Sequence, residues 1–252
     1  MPPRPGPFRH DPSGRVPGRV PPDTVAGMQS PPVPVHWDGA VNAWTVRPGL
    51  HRMGRAEWLT GRGWAELAEA GVSAVIDLRM PQEVKRREHD PEHSGLPDGI
   101  VWENHPIEDA EDHVFRARVD PYPNHPAHYP ALLERYPERI GAALARTLAA
   151  MQAGGAVLHC SAGRDRTGLL TALLLQLPEL PGGAADRAEQ HAVYTAGVRG
   201  INDYRRTAVV PHPYERYVPP QDWEDHLAER LAALDEVLDA WPAERVRALL
   251  PR

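Results

Sequence analysis

The chain has 252 residues, 41% of them hydrophobic, enough to bury one sizeable core. A net charge of −6 argues against nucleic acid as a constitutive partner, and no apolar run approaches the ~18 residues of a membrane span, so no stable membrane insertion is expected. One cysteine, Cys160, excludes an internal disulfide and suits a reducing, cytoplasmic setting.

Residues 1–40 are rich in Pro, Gly and Arg and read as a disordered tail, because proline spaced as in MPPRPGPF and PPVPVHW blocks helix and inner strand. A proline-motif ligand and a start at Met28 are competing readings, and the stretch lacks the apolar centre of a secretory signal. One folded domain is expected over residues 41–252. Val41 to Val46 and Gly49 to Met53 read as short strands. Thr60 is placed to cap a helix running to Ala70, with Gly71 ending it. Val72 to Leu78 reads as a buried strand and Ile100 to His105 as another. Residues 107–126, with Pro121, Pro123 and Pro126, read as a polar loop. Tyr129 to Met151 reads as helix, broken or kinked at Pro137. Gly154-Gly155 ends it, and the apolar Ala156 to Leu158 begins a further strand. Thr167 to Leu177 predicts a helix that Pro178 and Pro181 stop. Amphipathic helices follow at Ala184 to Gly197 and, within 221–249, at Gln221 to Leu238 and Ala243 to Leu249. Strands alternating with helices predict an α/β fold, a central mostly parallel sheet flanked by helices.

Between the strand ending at Leu158 and the helix from Thr167 runs HCSAGRDRTG, His159 to Gly168. Cys160 stands six positions before Arg166, with Gly163 between them and Thr167 after. Such a loop can wrap a phosphate dianion and attack it. Only a thiolate is strongly nucleophilic, and helix N-termini and nearby cations favour that form. Backbone N–H groups of residues 161 to 166, from Ser161, Ala162, Gly163 and Arg164 to Asp165 and Arg166, can point inward and hold phosphoryl oxygens, as helix N-termini hold anions generally. Gly163 lets the backbone turn without a Cβ in the way. The planar fork of Arg166 matches two phosphoryl oxygens. Thr167 is positioned to donate a hydrogen bond to the thiolate. Alternation along the strand turns His159 away from the phosphate, where its ring can brace the loop. An inert buried cysteine is the bland alternative.

HCSAGRDRTG resembles the signature of the cysteine-dependent protein tyrosine phosphatase superfamily, and more narrowly the bacterial tyrosine-protein phosphatases of the mycobacterial secreted type. Val46 to Arg52, Leu59-Thr60, Leu67 to Gly71, Val75 to Arg79 and Glu83 resemble a second block of that family in order and spacing. The likeness covers most of residues 41 to about 205. It departs at Val41 to Val46, at Met53-Gly54 and at Arg164, where the family has lysine. The resemblance implies a phosphatase catalytic domain, a phosphocysteine intermediate, and no metal or cofactor. It also leaves secretion without a signal segment open beside the cytoplasmic reading.

Such an enzyme needs an acid to protonate the leaving oxygen and later a base for water. Asp165 inside the loop ranks first, as in the related myotubularin loops. Asp109 follows, on the loop that carries the acid in small dual-specificity phosphatases. Asp77, in a DLR motif, ranks third; pairing with arginine is its structural alternative. Arg164 is expected on the loop's rim, either solvated or binding extra substrate charge. Arg52 is expected to shape the pocket or form a salt bridge. The prolines within HDPEH (89–93) and HPAH (125–128) argue against metal sites there. The partner expected is a phosphorylated protein, phosphotyrosyl first, with a phosphoinositide as the alternative. A phosphate-binding module without turnover is the non-enzymatic alternative.

Overall fold

The computed structural model describes residues 32–92 and 95–251; the proline-rich stretch before residue 32, Met28 included, lies outside them. Six strands form one sheet: β1 Val33–Pro34, β2 Trp44–Arg47, β3 Leu50–Met53, β4 Ala74–Asp77, β5 Val101–Asn104 and β6 Ala156–His159. Their order is β1-β2-β3-β6-β4-β5. β3, β6, β4 and β5 run parallel, and β1 and β2 add an antiparallel flank. β6, which leads into the cysteine loop, is thus central. The expected α/β architecture is present.

The helices are α1 Gly61–Glu69, α2 His113–Arg118, α3 Tyr129–Arg135, α4 Pro137–Ala153, α5 Asp165–Leu175, α6 Arg187–Thr207, α7 Trp223–Ala240 and α8 Ala243–Arg247. Thr60 caps α1 as its sequence suggests, its hydroxyl accepting from the Gly63 N–H at 3.1 Å. Pro137 opens a new helix, where its missing N–H costs nothing.

Alternation along the strands divides the interior into two layers. Ala74, Ile76, Ala156 and Leu158 pack into the larger core built by α3 to α8. Val75 and Val157 face the opposite way, onto Trp37, Trp64 and Leu67. Among the described residues, no helix is long and apolar enough to cross a membrane.

Four expectations need correction. The folded unit begins before residue 41, because Val33 pairs with Thr45 and Trp37 is buried in the smaller core. The strand expected from Val41 starts only at Trp44, because Asn42 takes a left-handed φ of 56°. The stretch expected as loop contains α2, which Asp112 caps by accepting from the Phe115 N–H and which Phe115 anchors in the core. Finally, α6 continues past Gly197 to Thr207. Its glycines are space-makers: a Cβ at Gly197 would lie 2.3 Å from Arg52 Nη2, and one at Gly200 2.2 Å from Asn42 Oδ1.

Candidate active site

Register brings the ends of the parallel strands together. His159 stands beside both Met53 and Asp77, and Asp77 beside Asn104. The loops after β3, β4, β5 and β6 therefore share the carboxyl edge of the sheet, where open α/β sheets bind ligands. Cys160 follows β6 directly and is buried. From there the chain turns sharply into α5. Gly163 is required twice over: its φ is +67°, and a Cβ would lie 2.3 Å from the Met53 carbonyl oxygen. Among the described residues, the N–H groups of Ser161, Ala162, Gly163 and Arg164 have no protein acceptor. Together with the N-terminus of α5 they leave a run of N–H donors of the kind that can hold an anion.

Arg52 and Asn42 hold the loop from behind. Arg52 Nη2 donates to the Gly163 carbonyl at 2.6 Å, and its Nη1 to that of Val193. Arg52 is thus a buried brace of carbonyl groups, and the expected salt bridge is not its role. Asn42 Nδ2 donates to the carbonyls of Ala162 (2.9 Å) and Gly197 (2.8 Å), while its Oδ1 accepts from Trp44 Nε1. Both braces pin the loop to α6 through carbonyls, so the N–H groups stay unspent.

Asp77 takes its structural alternative. Buried, it grips Arg79 through Nε and Nη2 and accepts the Arg79 N–H. Arg79 also reaches Glu57 at 2.8 Å. Burial works against ionisation of Asp77, but the His159 and Arg79 contacts outweigh it and hold the carboxyl below the usual range. His159 Nδ1 lies 3.3 Å from the Cys160 carbonyl and its Nε2 3.6 Å from Asp77, too long for a hydrogen bond. Burial lowers its pKa, against the pull of Asp77.

Arg166 meets two glutamates. Nη1 donates to Glu83 Oε2 at 2.5 Å and Glu108 Oε1 at 3.0 Å, and Nη2 donates to Glu83 Oε1 at 2.8 Å. A guanidinium has five N–H donors. Among the described residues these bonds use both on Nη1 and one on Nη2, leaving Nε–H and the second Nη2–H. Those two lie side by side, a fork free for two phosphoryl oxygens. Glu83 also accepts from the Met80 N–H and from Ser161 Oγ. Burial raises the pKa of Glu83, but Arg166 outweighs it and holds Glu83 ionised. For Glu108, whose carboxylate accepts one hydrogen bond among the described residues, burial prevails and the pKa is raised.

The remaining candidates are elsewhere. Arg164 is not on a rim: it is 2% exposed, gripping Asp165 through Nε and Glu215 through Nη1 and Nη2. Asp165 is buried in this arginine cage, with Arg230 Nη1 at 3.7 Å. Desolvation opposes its charge, but Arg164 prevails and keeps its pKa below the usual value. Asp109 points outward, half exposed, onto Arg139 at 2.7 Å. Among the described residues the buried Thr167 hydroxyl has no hydrogen-bond partner, so the expected bond to the thiol is not formed here. His125 caps a short turn through Nδ1, and Asp90 pairs with Arg55.

Sequence reasoning missed Asn42, Glu108, Glu215 and Arg230, and Glu83 entered only as part of a block. Signals existed for two of them: Glu83 followed the DLR motif at a set spacing, and Glu108 adjoined a residue already singled out.

Comparisons with known proteins bear on the family of this chain. A family model described as "Tyrosine phosphatase family" matches residues 39–184, more than half of the chain. The triple specificity protein phosphatase PtpB of Mycobacterium tuberculosis is 32% identical over 171 residues, which cover 55% of this chain and 59% of that protein. The chain therefore spans less than two thirds of that relative's length. Two solved structures of P. aeruginosa TpbA, one in complex with pTyr, align at 15% identity with TM-scores of 0.38 and 0.42; they cover 81% and 82% of this chain and 96% of theirs. A mouse putative dual specificity phosphatase complexed with zinc tungstate aligns at 17% identity with a TM-score of 0.33, covering 91% of this chain and 99% of its own. With the loop standing at the carboxyl edge of the sheet and the family model running through it, the chain belongs to the tyrosine phosphatase family.

Proposed function

We propose that this chain hydrolyses phosphomonoesters through a phosphocysteine intermediate, with phosphotyrosyl protein as its first substrate class. One juxtaposition carries the reading: a cysteine at the end of the central strand, unspent loop N–H groups, and the open Nε/Nη2 fork of Arg166 on the same turn. In this reading the N–H groups of Ser161 to Arg164 and the Arg166 fork bind the phosphoryl oxygens. The Cys160 thiolate attacks phosphorus as the ester bond breaks. Arg166 stabilises the charge spread over the equatorial oxygens. The unpartnered Thr167 hydroxyl is available to the thiolate when it leaves in the second step. Asp77 and His159 brace the loop, and Asp165 locks Arg164.

The burial of Arg164 against Asp165 and Glu215 removes the rim cation that a phosphoinositide would use, which favours protein substrates. The M. tuberculosis relative is named a triple specificity phosphatase, which supports a substrate range wider than phosphotyrosine alone. We read the catalytic unit as running from about Val33 to the end of α8 and working where its one thiol stays reduced.

Purified protein is expected to cleave a small aryl phosphate in EDTA, and Cys160→Ser to lose that activity. In a panel of phosphotyrosyl, phosphoseryl and phosphothreonyl peptides beside phosphoinositides, the tyrosyl peptide should turn over fastest. Full activity in the serine variant, or its abolition by EDTA, would overturn the mechanism. A phosphoinositide turned over faster than every peptide would overturn the substrate class.

A further inference from the structure

We infer that the groove on the smaller-core side of the sheet, walled by Trp64 and Trp102 and rimmed by Lys85 and Arg86, is a binding site for a small aromatic carboxylate. It is distinct from the cysteine loop, since none of the residues from Cys160 to Thr167 lines it.

The groove encloses about 330 Å³, at the lower end of the range for small-molecule sites. Strand alternation builds one wall. Trp102 on β5 stands in register with Val75, whose side chain faces the smaller core, and Trp102 packs against that core on the same face. Trp64 comes from α1 and is 3% exposed, so the core fixes its ring in place. Val84, from the turn after β4, and the exposed Leu96 close the sides. Two indoles and two aliphatic side chains make a slot suited to a flat apolar ring.

Charge then selects the kind of ring. Glu57 also lines the groove, but its carboxylate is committed to Arg79 at 2.8 Å and Arg55 at 3.3 Å. The two rim cations have no such partner. Arg86 Nη2 donates to the Pro91 carbonyl, which takes a hydrogen bond and leaves the charge uncancelled. Lys85 is held through its own carbonyl, which accepts from Arg55 Nη2 at 3.1 Å. Among the described residues, neither Lys85 nor Arg86 has a carboxylate within ion-pair distance. Two unbalanced cations thus stand at the mouth of an apolar slot, in a chain whose net charge is −6. A neutral ring leaves them unanswered. The proline-rich segment before residue 32 meets like charge there, with four arginines against two aspartates. An aromatic acid answers both features, its ring against the indoles and its carboxylate on the rim.

Calorimetric titration of the full chain with 2-naphthoate tests the site. Binding is expected with a Kd of about 1 mM or tighter. Trp102→Ala should weaken it about tenfold or more, and so should Lys85→Ala combined with Arg86→Ala, which keeps the Lys85 carbonyl. Trp102→Phe should retain most of the affinity, which guards against misreading a folding defect. Naphthalene-2-carboxamide, a ring without the charge, and acetate, a charge without the ring, should each bind about tenfold more weakly or worse. Added salt should weaken naphthoate, because the rim cations are exposed. Saturating inorganic phosphate should leave its affinity unchanged, since phosphate goes to the cysteine loop. No saturable binding below about 1 mM would overturn the inference. So would binding that phosphate abolishes, or that survives both the tryptophan and the rim variants. If a synthetic peptide of residues 1–31 displaces naphthoate and binds more tightly, the occupant is that segment of the chain and the aromatic acid is wrong.

Discussion

Arg166 shows how much one side chain can be asked to hold. Its guanidinium ties down Glu83, contacts Glu108 and still presents a free fork. Lysine offers three donors from a single point and cannot satisfy these directions at once. Arg166→Lys should therefore lower kcat by about 10²-fold or more, the scale of a lost oxyanion donor. Steady-state kinetics on an aryl phosphate measure it, and a near-wild-type rate would mean that Arg166 does not touch the reacting group. The central residues were legible because their spacing is local: Cys160, Gly163 and Arg166 lie within one turn of chain, and the chemistry dictates their order. The loop after β5 was not: Asp109 and Glu108 are neighbours in an irregular stretch, and the clasp by Arg139, some thirty residues away, holds Asp109 outward. Arg164 misled for a similar reason. Its partner Glu215 comes from a segment with no motif to mark it.

At the scale of elements, the loop is held by its neighbours more than by its own bonds. β3 supplies Arg52, the turn before β2 supplies Asn42, and α6 supplies glycines small enough to admit both side chains. The elements themselves were largely legible, since Thr60, Pro137 and the Gly154-Gly155 pair act on their own stretch of chain. Their interlocking was not. Asn42 and Ala162 are separated by 120 residues, and a lone asparagine gives no sign of where its amide will go. Asn42→Ala leaves the buried carbonyls of Gly197 and Ala162 without this donor, a loss of about 1–3 kcal/mol. A lower midpoint in urea unfolding should report it. Because the variant loosens only the backbone of the cup, kcat/KM should fall by a similar factor for esters of good and poor leaving groups. A loss confined to poor leaving groups would mean that Asn42 bears on the acid step.

Across the whole molecule, the sheet separates a large core from a smaller one, and the smaller core holds a histidine that links folding to pH. His51 on β3 is buried, its ring edge-on to Trp37 at 5.4 Å and its Nδ1 2.9 Å from Thr45 Oγ1. Burial brings its pKa down to about 4, against about 6.5 for an unperturbed histidine. His212 and His226, half-buried near arginines, are shifted by burial in the same direction, also to about 4. Between those values the unfolded chain binds protons that the folded one refuses. Stability must then rise with pH through that window and be complete above it. Asp77 and Glu83, whose pKa values folding depresses, add losses at still lower pH, as each regains its proton. Glu108 works in the opposite sense, because folding raises its pKa and its contribution fades as pH rises. Three histidines and two carboxylates outnumber it. Thermal melts should show Tm flat above about pH 7 and falling steadily from about 6.5 to 4. The His51 ring, followed by NMR, should stay neutral until about pH 4. A ring that titrates near 6.5, or a Tm that climbs on acidification, would mean that β3 does not shut His51 away from water, and that the smaller core is looser than its packing implies.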